Sequence, residues 1–85
     1  MSADPRATPE TPVVVDARGL RCPLPVIRLA QVARDAAPGV VVEVWATDPA
    51  ARADIPAWCR MRGQEYAGED VAADGCPRFA VRRTT

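Results

Sequence analysis

The 85-residue chain contains no histidine and no lysine. Its three cysteines, Cys22, Cys59 and Cys76, stand far apart and form no Cys-x-x-Cys pair. Without histidine or paired thiols, neither a zinc-type ligand cluster nor a thioredoxin-like dithiol can be read from it. No metal site is expected. Nor does any stretch approach the roughly 20 consecutive apolar residues that span a bilayer. The amino terminus lacks a basic segment followed by an apolar one, so no secretory signal is expected. An odd number of cysteines in that setting argues against a disulfide framework, and the expected location is the cytoplasm. Excess charge is also missing. Eleven acidic residues balance eleven basic ones, all arginine, which fits codon usage in a GC-rich, alanine-rich protein. A nucleic-acid protein would gather a basic excess on one face, so contact with nucleic acid is expected only indirectly. Arg60/Arg62 and Arg78/Arg82/Arg83 read first as solvated faces.

What is present reads as one small domain. Met1 to Pro12 carries three of the nine prolines and little apolar content, and is expected to be a flexible tail. Residues 13–85 form the expected single domain. Val13 to Ala17 is a β-branched run that reads as a strand. From Pro23 to about Ala36 the apolar residues Val26, Leu29, Ala30 and Ala33 recur at helical spacing, and Pro38-Gly39 stops the helix. Val40 to Ala46 is the strongest strand, with Val40, Val42, Val44 and Ala46 on one face and Val41, Glu43 and Trp45 on the other. Thr47-Asp48-Pro49 reads as a turn and helix start, and a second helical segment follows to about Arg62, ended by Gly63. Pro56 predicts an irregular first turn there, with the regular helix from Asp54 or Ile55 and Asp54 as its cap. Gln64 to Val71 is a weaker strand. Arg78 to Arg82 closes the domain, with Phe79 and Val81 on one side. The order β-α-β-α-β-β predicts an α+β, two-layer sandwich, with two helices on one face of a four-stranded mixed sheet.

Chemistry is concentrated at Gly19-Leu20-Arg21-Cys22-Pro23-Leu24-Pro25. Proline suits the first turn of a helix, so the two prolines place Cys22 at or next to a helix start. A thiol there faces unpaired N–H groups and the positive end of the helix dipole, which favours its anion. Arg18 and Arg21 add positive charge nearby in sequence, and the expectation is a thiolate held ready to react. Asp16 can orient Arg18, while Pro23 and Pro25 stiffen the loop. Cys59 shares the apolar helix face with Ile55 and reads as core. Cys76 follows Asp74-Gly75 and is expected to be more exposed. Trp45 and Trp58 read as core or sheet-face packing.

The run Asp16-Ala17-Arg18-Gly19-Leu20-Arg21-Cys22-Pro23-Leu24-Pro25 resembles the signature of the TusA/SirA sulfur-carrier family. Asp48-Pro49 and Asp54-Ile55-Pro56-Ala57-Trp58-Cys59 are similar to that family's second helix region, and the likeness spans about residues 13 to 83. It implies a sulfurtransferase that acts as a stoichiometric relay, taking sulfane sulfur as a persulfide on Cys22 without a cofactor. Around Cys22, the residues Asp16, Arg18, Gly19, Arg21, Pro23 and Pro25 would support the loop. A cysteine desulfurase or rhodanese-like protein would donate the sulfur, and an acceptor protein would take it. Both would bind transiently, in tRNA thiolation, molybdenum-cofactor supply or sulfur metabolism. Two other readings are a redox-sensing interaction module and a small RNA-binding domain.

Overall fold

A computed structural model describes residues 12–84. The expected tail therefore lies, apart from Pro12, outside the described residues. The elements are strand β1 (Val13–Ala17), helix α1 (Leu24–Asp35), strand β2 (Val41–Ala46), helix α2 (Ala51–Arg62), strand β3 (Glu65–Val71) and strand β4 (Pro77–Arg82). The sheet order is β1-β2-β4-β3. β1 pairs parallel with β2, and β4 pairs antiparallel with both β2 and β3. The sheet is mixed, as expected. Helix α1 packs on β1 and β2, α2 packs on β3 and β4, and the helices touch each other.

Burial follows the expected periods. Val40, Val42, Val44 and Ala46 are all buried, while Val41, Glu43 and Trp45 stay half-buried on the other face. Phe79 and Val81 of β4 point to the same side and are buried. From the helices, Pro25, Leu29 and Ala33 of α1 and Ala51, Ile55 and Cys59 of α2 meet this face, each set spaced by four residues. Side chains such as Leu29, Ile55 and Phe79, fully withdrawn from water, contribute about 1.5–3 kcal/mol each.

Helix α2 differs from expectation at its start. It begins at Ala51 and runs continuously through Pro56, and Asp54 lies in its first turn without capping it. The turn that leads in is closed by Asp48, whose Oδ1 accepts the Ala50 N–H at 2.9 Å and whose carbonyl accepts the Ala51 N–H at 3.1 Å. Because the initiating acid sits before the first turn, Pro56 falls inside an established helix and removes one hydrogen bond rather than setting the boundary. At the other end Gly63 takes φ 70°, the left-handed conformation that ends helices, and its N–H bonds to the Cys59 carbonyl.

On the open sheet face Trp45 lies between two guanidiniums. Arg18 is 5.1 Å and Arg78 6.0 Å from the ring centroid, and the indole N–H donates to Glu43 at 2.9 Å. The amphipathic ring thus packs through cation–π contacts with its polar edge satisfied.

Candidate functional site

Between β1 and α1 the chain turns tightly. Gly19 has φ 80° with open space where a β-carbon would stand, so the backbone angle alone demands glycine. The Leu20 N–H returns to the Ala17 carbonyl at 3.1 Å, and the Leu24 N–H to the Arg21 carbonyl at 2.9 Å. Two further bonds fasten this loop to the segment before α2. The Gly19 N–H donates to Thr47 Oγ1, and the Cys22 N–H donates to Asp48 Oδ2, both at 2.9 Å. Cys22 precedes the helix cap Pro23 through a cis peptide bond, and Pro25 stands in the first turn. Leu20 and Cys22 pack against the core from the side, leaving the thiol half-buried. Between this loop and the segment before α2 opens a cleft of about 440 Å³, lined by Gly19, Leu20, Arg21, Thr47, Asp48 and Pro49.

The thiol's electrostatics reverse the expectation of a favoured thiolate. Burial, then hydrogen bonding and charge from Asp54, then charge from Asp48, push the Cys22 thiol up from 9.0 to about 11. The helix start is where the sequence puts it, but the neighbouring segment brings two carboxylates to the sulfur. Negative charge near an acid disfavours its ionised form, as desolvation does. At neutral pH this thiol keeps its proton.

Arg18 does not offset those carboxylates. Its guanidinium binds Asp16 Oδ2 at 2.7 Å and Asp74 Oδ2 at 2.8 Å and stacks over Trp45. Asp16 does orient Arg18, and that pairing holds its own carboxyl down at about 2. Asp16 and Arg18 are thus brought together with Asp74 on the open face, and neither is among the groups acting on the thiol. Arg21 is exposed, and its charge helps hold the Asp48 carboxyl below its usual range, after the N–H groups of Ala50 and Cys22.

All three cysteines are free. Cys59 is buried as expected, and burial pushes its thiol up. Cys76 overturns the expectation of exposure, for only 6% of it reaches solvent. The turn explains this. The Cys76 N–H donates to Asp74 Oδ1 at 3.0 Å and its carbonyl accepts from Ala72 at 2.8 Å, and the thiol donates to the Pro77 carbonyl at 3.4 Å. The polar groups are met locally, so the residue enters β4 facing inward. Cys22 is the one cysteine of the three that is not buried.

On sequence grounds Thr47 and Asp48 belong to a turn before the second helix and Asp54 to its cap, and none is assigned to the site. In the structure Thr47 and Asp48 fasten the Cys22 loop, and Asp54 acts on the thiol. The signal was on hand, since Asp48-Pro49 and Asp54-Ile55-Pro56 belong to the stretches carrying the family resemblance. Among the described residues no group of three or more cysteine and acidic side chains is placed to hold a metal ion. Among the described residues no helix is long and apolar enough to cross a membrane.

Comparison with known proteins agrees with this geometry. The family model described as sulfurtransferase TusA matches residues 13–83. The sulfur carrier protein TusA of Pseudomonas paraeruginosa is 47% identical over 60 residues, covering 71% of this chain and 76% of that protein. A putative sulfur carrier protein of Archaeoglobus fulgidus is 40% identical over 68 residues, covering 80% and 88% respectively. The putative sulfur carrier protein YrkF of Bacillus subtilis is 37% identical over 62 residues, 73% of this chain but only 34% of that longer protein. In structure, the SirA-like protein of Desulfitobacterium hafniense superposes with a TM-score of 0.74 at 20% identity, over 86% of this chain and 99% of that one, a likeness of fold. With the family match reaching from the first strand to just past the last, this chain belongs to the TusA family of sulfurtransferases and has the role of a sulfur carrier.

Proposed function

We propose that Cys22 receives a sulfane sulfur as a persulfide and passes it to a second protein, with residues 13–85 as the working unit. The observation that carries this reading is the contrast among the three thiols. Cys59 and Cys76 are buried, whereas Cys22 is half-buried in a loop whose N–H groups make four hydrogen bonds of 2.9–3.1 Å, two of them to the side chains of Thr47 and Asp48. A loop already ordered loses little freedom when a partner docks.

In the loading step the Cys22 S–H gives up its proton and its sulfur attacks the outer sulfur of a donor persulfide, R–S–SH. A new S–S bond forms on Cys22 while the donor's S–S bond breaks. The bonding pair leaves on the donor thiolate, which takes up a proton. Sulfur changes hands with no outside oxidant or reductant. Unloading is the same exchange in reverse sense, an acceptor thiolate attacking the outer sulfur of the Cys22 persulfide. Gly19, Pro23 and Pro25 shape the loop, and Arg21, exposed on the cleft, would offer its charge to an anionic persulfide. Asp16 and Arg18 support the loop from its β1 end.

Donors of the required kind are a cysteine desulfurase or a rhodanese-like protein. The sulfur would go onward to tRNA thiolation, molybdenum-cofactor synthesis or sulfur metabolism, in the cytoplasm, where free thiols stay reduced. Intact mass after incubation with a cysteine desulfurase and cysteine tests the reading. The protein should gain the mass of one sulfur atom, a gain lost in Cys22→Ala and kept in Cys59→Ala and Cys76→Ala. No gain with several desulfurase and rhodanese-type donors would overturn it.

A further inference from the structure

Both tryptophans sit beside arginines, but only one of the two clusters is closed by acids. On the open sheet face Arg18 and Arg78 flank Trp45, and Asp16, Asp74 and Asp70 neutralise them. The Trp45 N–H is met by Glu43. On the helix side a second cleft, of about 370 Å³, has Ala30, Ala33 and Trp58 on its wall with Arg34, Arg62, Gln64 and Arg83. Among the described residues no acid lines it, and neither Arg34 nor Arg62 has an ion-pair partner. The half-buried Trp58 likewise has no hydrogen-bond partner there for its indole N–H. Arginines at helix ends commonly serve the last carbonyls. Here others do so. Arg83 Nη1 donates to the carbonyls of Ala33, Arg34 and Ala36 at the end of α1. Past α2, Gln64 Nε2 donates to the Arg62 carbonyl and Thr84 Oγ1 to that of Gly63. The side chains of Arg34 and Arg62 thus bring two unmatched positive charges to one small cavity.

We infer that this cleft binds a phosphomonoester on a flat aromatic body, the chemistry of a nucleoside monophosphate, with the phosphate between Arg34 and Arg62. Charge decides for phosphate. A phosphomonoester brings about −1.5 to −2 at neutral pH and matches two guanidiniums, whereas a carboxylate matches one. Trp58 adds a third donor, and its ring with Ala30 and Ala33 offers apolar surface to the aromatic body. The volume is that of a small-molecule site. An acidic peptide fits less well, because an extended chain needs main-chain partners. The carbonyls of Ala33, Arg34 and Arg62 on the cleft are already bonded. Arg34 stands about 15 Å along α1 from Leu24 at the usual helical rise, so the site is separate from the Cys22 loop.

Calorimetric titration of the protein with AMP, inorganic phosphate and adenosine tests this. At low salt, about 50 mM, AMP should bind at least about tenfold more tightly than either fragment. Arg34→Gln and Arg62→Gln should each weaken AMP by about tenfold, since each removes a charge-assisted contact. Arg60→Gln, exposed on the same helix but outside the cleft, should change it by less than about twofold. One readout needs no variant of the cleft. Bound AMP should shift the indole N–H resonance of Trp58 and leave that of Trp45 in place, the two being assigned with Trp45→Phe. No binding of AMP up to ~5 mM would overturn the inference. So would AMP binding that ignores both Arg34→Gln and Arg62→Gln, or inorganic phosphate binding as tightly as AMP. Tighter binding of a hexaglutamate peptide than of AMP would also overturn it, and would give the cleft to an acidic protein segment. Cys22→Ala should bind AMP as the unmodified protein does, so the result stands apart from sulfur loading.

Discussion

Asp48 Oδ2 accepts the backbone N–H of Cys22 at 2.9 Å, while its other oxygen accepts the N–H of Ala50. One carboxylate thus starts the second helix and holds the loop of the first. Asp48→Ala removes both acceptors together. We expect lower stability in urea denaturation and a slower gain of sulfur at Cys22. Asp48→Asn keeps one acceptor oxygen but turns an NH2 donor against the other N–H, so it should recover only part of the stability. A full recovery by Ala-sized side chains would show that the loop is fixed by other means.

The Cys22 thiol, raised from 9.0 to about 11, makes two linked statements about pH. Alkylation by iodoacetamide should climb about tenfold per pH unit from pH 7 to near 10, with no plateau around pH 9. Stability moves the other way. The native state binds this proton more tightly than the unfolded chain, so the thiol's contribution is complete below pH 9 and is lost between pH 9 and 11. Cys22→Ser should therefore flatten the alkaline limb of a stability profile over that window.

In the core, Leu29 and Ile55 are each fully buried, one from each helix. Truncating either to alanine removes apolar contact and leaves a cavity, at a cost of about 2–5 kcal/mol. Small domains hold only about 5–15 kcal/mol in total, so each variant should unfold at markedly lower urea. Met61, 80% exposed on the same helix as Ile55, should tolerate alanine with little change.

At the end of α2, Gly63→Ala should destabilise by about 1–2 kcal/mol, the penalty for an L-residue in the left-handed region. A β-carbon there would meet nothing within 4 Å, so the loss is purely conformational. Gly63→Asn, better suited to that angle, should cost less in the same denaturation series.

Local periodicity was enough to read most of the fold. Val40, Val42, Val44 and Ala46 alternate inward as their sequence pattern requires, and Gly63 ends α2 where a glycine stop predicts. Cys22 falls beside a helix start because two prolines leave little choice. Legibility stopped where a property depends on residues distant along the chain. The thiol's charge environment is set from Asp48, 26 positions away, and from Asp54 beyond it, so the nearby arginines misled. Cys76 misled for a related reason. Its Asp74-Gly75 turn signals a surface reversal, but burial is decided by the first residues of β4, which lie between two strands. The Thr47-Asp48-Pro49 turn marks the start of α2 just before Ala51, but Pro56, a strong local breaker, puts the regular helix too late, at Asp54 or Ile55. The turn that Asp48 closes sets the helix going before Pro56 is reached.

The strand order β1-β2-β4-β3 places the strand synthesised last of the four between two made earlier. During translation β2 can pair with β1 and receive α1, but its other edge has no neighbour until β4 leaves the ribosome. β3 has none at all until then, since it bonds only to β4. The nascent chain must therefore hold an open, valine-rich edge until β4 emerges, and such an edge is a template for pairing with other chains. A ribosome that stalls before residue 77 leaves a half-sheet with nothing to close it.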